Sequence, residues 1–148
     1  MIDRIVSLDV EGESIECEVN VPGEREPPFP DHFPDNPVLP GVLIMESMVQ
    51  CCGILAYHWL AKGQIPIFVG ADDFRVKRPV YPNATFTVVG KLNRKSAGFF
   101  DFKARVLIDG NTAAKGVVRL KTTEMSGVNM AAIIEYLDNV GFDKSHFD

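Results

Sequence analysis

Cysteine is scarce in this chain of 148 residues, and its three cysteines form no known pattern. Cys51 and Cys52 are adjacent and Cys17 is distant, so neither a disulfide framework nor a CxxC zinc site is predicted. The N-terminus lacks the basic region, long apolar stretch and small-residue cleavage site of a secretory signal. We therefore expect a cytoplasmic protein with no bound metal or other cofactor.

An excess of positive charge is also absent. The net charge of −5 argues against general nucleic-acid binding. The charge is nevertheless uneven, because eleven of the fifteen Lys and Arg residues lie between Arg75 and Lys121, together with only two acidic residues. This basic half is suited to an acidic partner.

The length and the apolar content of 46% predict one domain with a substantial core. Two strands are predicted within residues 2–21, an apolar helix over residues 41–62, and four further strands at about 67–78, 85–93, 98–108 and 111–122. An antiparallel sheet wrapped around one buried helix satisfies this inventory, which predicts an α+β fold.

The chain changes character after this series of strands. Residues 1–124 are predicted to form the main domain, and residues 125–148 an amphipathic helix, with Asn129 as its N-cap, followed by a polar tail. The central helix approaches the length of a membrane span, but Glu46, Gln50 and His58 interrupt its apolar surface. No membrane insertion is expected.

A proline-rich loop delivers the first candidate catalytic residue. Pro34, Pro37 and Pro40 restrict the backbone after His32, so the loop holds this histidine with little conformational freedom. The loop ends at Gly41, where the free N–H groups of a helix start suit a carbonyl oxygen that gains negative charge. A base next to an oxyanion site is therefore one interpretation, and an ordinary solvated loop histidine is the other.

The second candidate is Glu46, within the apolar helix. An unpaired carboxylate in apolar surroundings is costly, which favours a neutral, protonated side chain that can donate its proton. An exposed Glu, or a buried one paired with Arg78, remains the alternative. Gln50 and Gly53 follow at i+4 and i+7, and this polar, small-residue stripe indicates a lined pocket.

The loop and helix together resemble the beta-hydroxyacyl-acyl carrier protein dehydratase family of fatty-acid synthesis, with its signature H-F-P-G-x-P-V-x-P-G-V-L-x-x-E-x-x-x-Q. Residues 74–82 resemble the family's F-x-K/R-R-P-V-x-P segment, and the resemblance covers about residues 3–122. One departure is Asp35, which stands where the family has Gly. The residues in register with the signature are His32, Phe33, Pro34, Pro37, Val38, Pro40, Gly41, Val42, Leu43, Glu46 and Gln50.

The resemblance implies a hotdog fold, in which a sheet wraps around a long central helix, and a dimer with its active sites at the interface. It implies that His32 of one protomer removes the proton α to a thioester carbonyl, that the Gly41 N–H polarises this carbonyl, and that Glu46 of the other protomer protonates the departing β-hydroxyl. The product is a trans-2-enoyl thioester. Further substrate-binding residues would be Phe33, Pro40, Val42 and Gln50, and acyl carrier protein would contact Arg75, Lys77 and Arg78.

Two other functions remain open at this point. A hotdog acyl thioesterase would use Glu46 to activate water and has no evident use for the histidine loop. A non-catalytic hotdog subunit would bind acyl chains or pair with an active homologue, and it would need neither residue for chemistry.

Overall fold

A computed structural model describes all residues, 1–148, and shows one six-stranded antiparallel sheet with two α-helices. The strands follow the spatial order β1-β2-β4-β5-β6-β3, so that β1 and β3 are the two edges. The elements are β1 (Arg4–Asp9), β2 (Ser14–Asn20), α1 (Gly41–Ala56), β3 (Gln64–Val76), β4 (Thr85–Ser96), β5 (Phe99–Ile108), β6 (Asn111–Glu124) and α2 (Met130–Asn139).

Alternating apolar residues explain how the sheet forms a core on one face only. In β2, for example, Ile15, Cys17 and Val19 are buried and the residues between them are more exposed. The Asp109-Gly110 dipeptide forms the predicted hairpin turn, and both of its residues have positive φ, as a type I′ turn requires. The buried strand side chains and the buried residues of α1 belong to one core cluster.

The central helix α1 packs against the sheet and contacts β2, β3, β4, β5 and β6, as the resemblance implies for a hotdog fold. Its face towards the sheet is fully buried and includes Ile44, Met48 and Leu55. The helix was predicted to continue to residue 62, but it ends at Ala56 and passes into a 3-10 turn, Tyr57–Trp59. The chain must leave the helix early because β3 already begins at Gln64.

The segment Gly41–Trp59 is long and apolar enough to cross a membrane by length and composition alone. Half of this apolar stretch is buried inside the protein, which is typical of the core helix of a globular domain.

The helix α2 confirms the amphipathic helix predicted near the C-terminus. The Asn129 side chain accepts a hydrogen bond from the Ala132 N–H at 3.2 Å, which confirms the predicted N-cap. Leu137 inserts into the core, and the Ile5 N–H of β1 donates to the Val140 carbonyl at 2.7 Å. The C-terminal helix is therefore packed on the domain and hydrogen-bonded to it.

The edge strand β3 leaves an apolar surface uncovered. Phe68, Val69 and Val76 are all exposed there, and the pairing with β6 shifts register twice, between Phe68 and Gly70 and between Asp72 and Arg75. An edge strand also presents backbone groups with no partner in the same sheet. This edge is thus open to pairing with another strand.

Candidate active site

His32 is held by hydrogen bonds across its own loop. The Val38 N–H donates to the His32 carbonyl at 2.9 Å, and His32 Nδ1 lies 3.1 Å from the Val38 carbonyl oxygen. The next residue ties the loop to the domain, because the Leu39 N–H donates to the carbonyl of the buried Val80 at 2.8 Å. The loop therefore fixes the imidazole, as its prolines predicted.

The contact with Val38 also determines the tautomer of His32. A carbonyl oxygen only accepts hydrogen bonds, so Nδ1 must carry the proton. In the neutral imidazole, Nε2 is then the nitrogen with the free lone pair. The ring of the half-buried histidine stacks on Phe33, with the two centroids 4.2 Å apart, and its Nε2 is able to accept a proton.

The start of α1 lies beside this histidine. Pro40 is the N-cap and its carbonyl accepts from the Leu43 N–H at 2.9 Å, but it makes no side-chain cap. The N–H groups of Gly41 and Val42 donate to no protein acceptor, and Val42 is 65% exposed. These two donors and the helix dipole form a site for a developing oxyanion.

One groove of about 340 Å³ joins His32 to Gly41 and to positive charge. Two predicted carrier-protein contacts, Lys77 and Arg78, line it together with His32. Arg75 lies two residues earlier, near the end of β3, and does not line the groove. All three side chains are exposed and form no ion pair within the chain.

Glu46 departs from the sequence prediction. It was predicted to be buried and protonated, but in the single chain it is exposed. It is not paired with Arg78 either. Its Oε1 accepts a hydrogen bond from Gln50 Nε2 at 2.9 Å, one turn further along α1. The helix is apolar at this point, yet this part of its surface is left open by its own chain.

Helix geometry explains why His32 and Glu46 lie in different grooves. Five residues separate Gly41 from Glu46, a rise of about 7.5 Å and a rotation of about 140° around the axis. Glu46 and Gln50 therefore line a second groove, of about 350 Å³, to which His32 does not contribute. The structure joins His32 with Gly41, and Glu46 with Gln50, but it does not bring the base and the acid together within one chain.

The departure at Asp35 causes no backbone strain. The residues with positive φ in this chain do not include Asp35. The turn is closed instead by the neighbouring residues, since the N–H groups of Phe33 and Asn36 each donate to the other's carbonyl, at 3.3 and 3.1 Å. The loop therefore accommodates Asp35 at the position where the dehydratase signature has Gly.

Sequence reasoning missed two groups at these grooves. The Val38 carbonyl determines the tautomer of the histidine. The only signal for this contact in the sequence is the short separation of six residues between His32 and Val38. Tyr136 of α2 donates its hydroxyl proton to Gln50 Oε1 at 3.5 Å. Burial raises the pKa of Tyr136 to about 12, so the phenol remains a donor at neutral pH.

Known proteins match this geometry at the level of family and fold. A model of the FabA-like domain family matches residues 1–116, which is more than three quarters of the chain. The chain therefore belongs to the FabA-like domain family, whose fold is the hotdog fold.

Solved structures with this fold include different activities. The dehydratase heterocomplex ApeI:P from Xenorhabdus doucetiae is similar with a TM-score of 0.67 and 15% identity, over 90% of this chain and 88% of that chain. A mutant of thioesterase PA1618 from Pseudomonas aeruginosa has a TM-score of 0.65 and 13% identity, over 82% and 81% of the two chains. Thioesterase HI1161 from Haemophilus influenzae has a TM-score of 0.63 and 13% identity, over 84% of this chain and 80% of that chain. The fold alone thus does not separate dehydratases from thioesterases.

Proposed function

We propose that this protein is a (3R)-3-hydroxyacyl-acyl carrier protein dehydratase, which eliminates water from a 3-hydroxyacyl thioester in fatty-acid, lipid or polyketide-like biosynthesis. The observation that carries the proposal is the loop around His32. Its Nδ1–H donates to the Val38 carbonyl, which leaves Nε2 as a base in the same groove as the free N–H of Gly41. Abstraction of a proton α to a carbonyl needs this pair of groups.

The reaction then follows from the chemistry of the groups. His32 Nε2 takes the α-proton, and the negative charge that develops on the thioester oxygen is stabilised by the N–H groups of Gly41 and Val42. Glu46 gives a proton to the β-hydroxyl, the C–O bond breaks, and water leaves as the α,β double bond forms. His32 then loses its extra proton and Glu46 regains one, which restores the starting state.

We propose that a homodimer supplies the acid, because His32 and Glu46 lie in separate grooves of one chain. Pairing of the exposed edge strand β3 with the same strand of a second copy would extend the sheet, and it would cover the apolar side chains Phe68 and Val69. Glu46 of the partner protomer then completes each site. Its exposure in the single chain is what a residue that serves the neighbouring site requires.

The basic residues beside the histidine groove support a carrier-protein substrate. Lys77 and Arg78 line the groove and have no acidic partner in the chain, and Arg75 is exposed nearby on β3. We propose that they attract an acidic acyl carrier protein and place its phosphopantetheine arm at the groove. Such charges at an interface rim mainly raise the association rate, so the effect should weaken as salt is added.

A turnover assay with 3-hydroxyacyl carrier-protein thioesters tests the proposed reaction. Wild type, His32→Ala and Glu46→Gln are compared, with Glu11→Gln in the exposed β1-β2 turn as the matched control. We expect both site variants to lose enoyl thioester formation by at least about 100-fold, the usual contribution of general acid–base groups. Equal rates in wild type and both site variants would refute the assigned roles.

Thioester hydrolysis is the second candidate, because Glu46 is exposed in a groove and hydrogen-bonded to Gln50, where it is able to activate water. The same assay separates the two reactions, since hydrolysis releases the free carrier-protein thiol and dehydration does not. Thiol release without enoyl formation, lost in Glu46→Gln and retained in His32→Ala, would establish the thioesterase instead.

A further inference from the structure

The groove that contains Glu46 continues along α1 as an apolar channel. Glu46, Gln50 and Gly53 of α1 and Tyr57 of the following 3-10 turn all line it, at positions i, i+4, i+7 and i+11 along one face. At a rise of about 1.5 Å per residue, this face extends over roughly 16 Å. Polar groups are concentrated at the Glu46 end, whereas the rest of the lining is mainly apolar and includes Ile54, Pro66, Phe68 and Leu120.

The C-terminal helix α2 supplies one wall of this channel. Its residues Ile133, Tyr136 and Leu137 lie at i, i+3 and i+4 and all line the groove. Leu137 is 1% exposed and packs in the core, whereas Ile133 is only half-buried and borders the open space. This wall lies beyond residue 116, where the match to the family model ends.

Hydrogen bonds align the wall with the acid. Tyr136 donates to Gln50, and Gln50 donates to Glu46, so a continuous chain of contacts joins α2 to the carboxylate. The Asn129 cap stabilises the first turn of α2, and the bond from the Ile5 N–H to the Val140 carbonyl ties its C-terminal end to β1. The wall is therefore a fixed part of the groove.

We propose that α2 forms the outer wall of the acyl-chain site and that Ile133 determines which acyl chain lengths the protein accepts. This inference rests on the proposed function. If Glu46 protonates the β-hydroxyl, the γ-carbon and the rest of the acyl tail begin beside Glu46. The apolar channel that Glu46 lines is the space into which the tail extends, and Ile133 borders it.

The test measures kcat/KM for a series of 3-hydroxyacyl carrier-protein thioesters from short to long chains. Ile133→Phe should lower kcat/KM for the longest chains by about ten-fold or more, because a filled apolar pocket discriminates by this order of magnitude, and should leave the shortest within about two-fold. Ile133→Ala should shift the preference towards longer chains. Glu135→Ala is the matched control, since Glu135 is exposed on α2 and does not line the groove.

A binding measurement keeps this inference separate from the reaction. Kd values of non-reactive acyl-pantetheine thioethers of the same lengths should show the same dependence on residue 133 whether or not the protein is a dehydratase. A change that is uniform over all lengths, or no change in correctly folded Ile133→Ala and Ile133→Phe, would overturn the role of α2. Absence of enoyl product with a length-dependent shift in Kd would instead overturn the proposed reaction alone.

Discussion

Mixing two inactive variants gives a direct test of a site shared between protomers. His32→Ala removes the base and Glu46→Gln removes the acid, so each variant alone should be inactive. If the two are co-expressed at equal levels, random pairing makes about half of the dimers mixed. One site of each mixed dimer then has both the intact His32 and the intact Glu46, and the other site has neither.

The expected recovery follows from this count. Half of the dimers regain one of their two sites, so the preparation should reach about a quarter of the wild-type rate per protomer. Enoyl thioester formation is measured on the co-expressed mixture and on the two variants combined just before the assay, when exchange has not occurred. Recovery requires the base and the acid to come from different chains, because an intact pair within one chain never forms in the mixture. A mixture as inactive as its components, with mixed dimers shown by mass spectrometry, would refute the reasoning from the separate grooves.

Three further outcomes are expected. Gly53→Ala adds a methyl group for which there is room, so it should raise the free energy of unfolding by up to about 1 kcal/mol in urea melts. The same methyl group should disfavour long acyl chains, and a loss of stability would contradict this prediction. The hydrogen bond from Arg119 lowers the pKa of Asp101. The stability that this bond adds is therefore present above about pH 4 and is lost as the pH falls further. Arg119→Ala should have a lower urea midpoint than wild type at neutral pH, and the two midpoints should converge in acid. Burial raises the pKa values of the Cys51 and Cys52 thiols, so an alkylating reagent should modify neither in the folded protein, as measured by mass spectrometry. Rapid labelling would contradict this and would show that α1 separates from the sheet.

Local sequence signals predicted the elements that depend on local physics. The Asp109-Gly110 turn and the Asn129 cap were predicted because each depends on the chemistry of adjacent residues. The end of α1 was not, since the residues after Ala56 are apolar enough to continue a helix. They leave it because strand β3 pairs with β6, and this long-range pairing overrides local propensity.

The same distinction applies to the candidate site. The proximity of His32 to Gly41 was predicted because a short proline loop connects them. The contact between Tyr136 and Gln50 joins residues 86 positions apart, and no spacing in the sequence signals it. The sequence predicted an amphipathic C-terminal helix but not that this helix lines the groove of Glu46.

Glu46 is exposed although it lies on an apolar helix. A helix that is apolar around most of its circumference was expected to be enclosed by protein. In the structure, Val42 and Glu46 are exposed, although the opposite face of α1 is fully buried. His32 and Gly41 line one groove of the chain, whereas Glu46 lines another. A substrate whose α- and β-carbons are adjacent needs the base and the acid within a few ångströms of each other, and this requirement is the reason why we propose that a second copy of the chain supplies the acid.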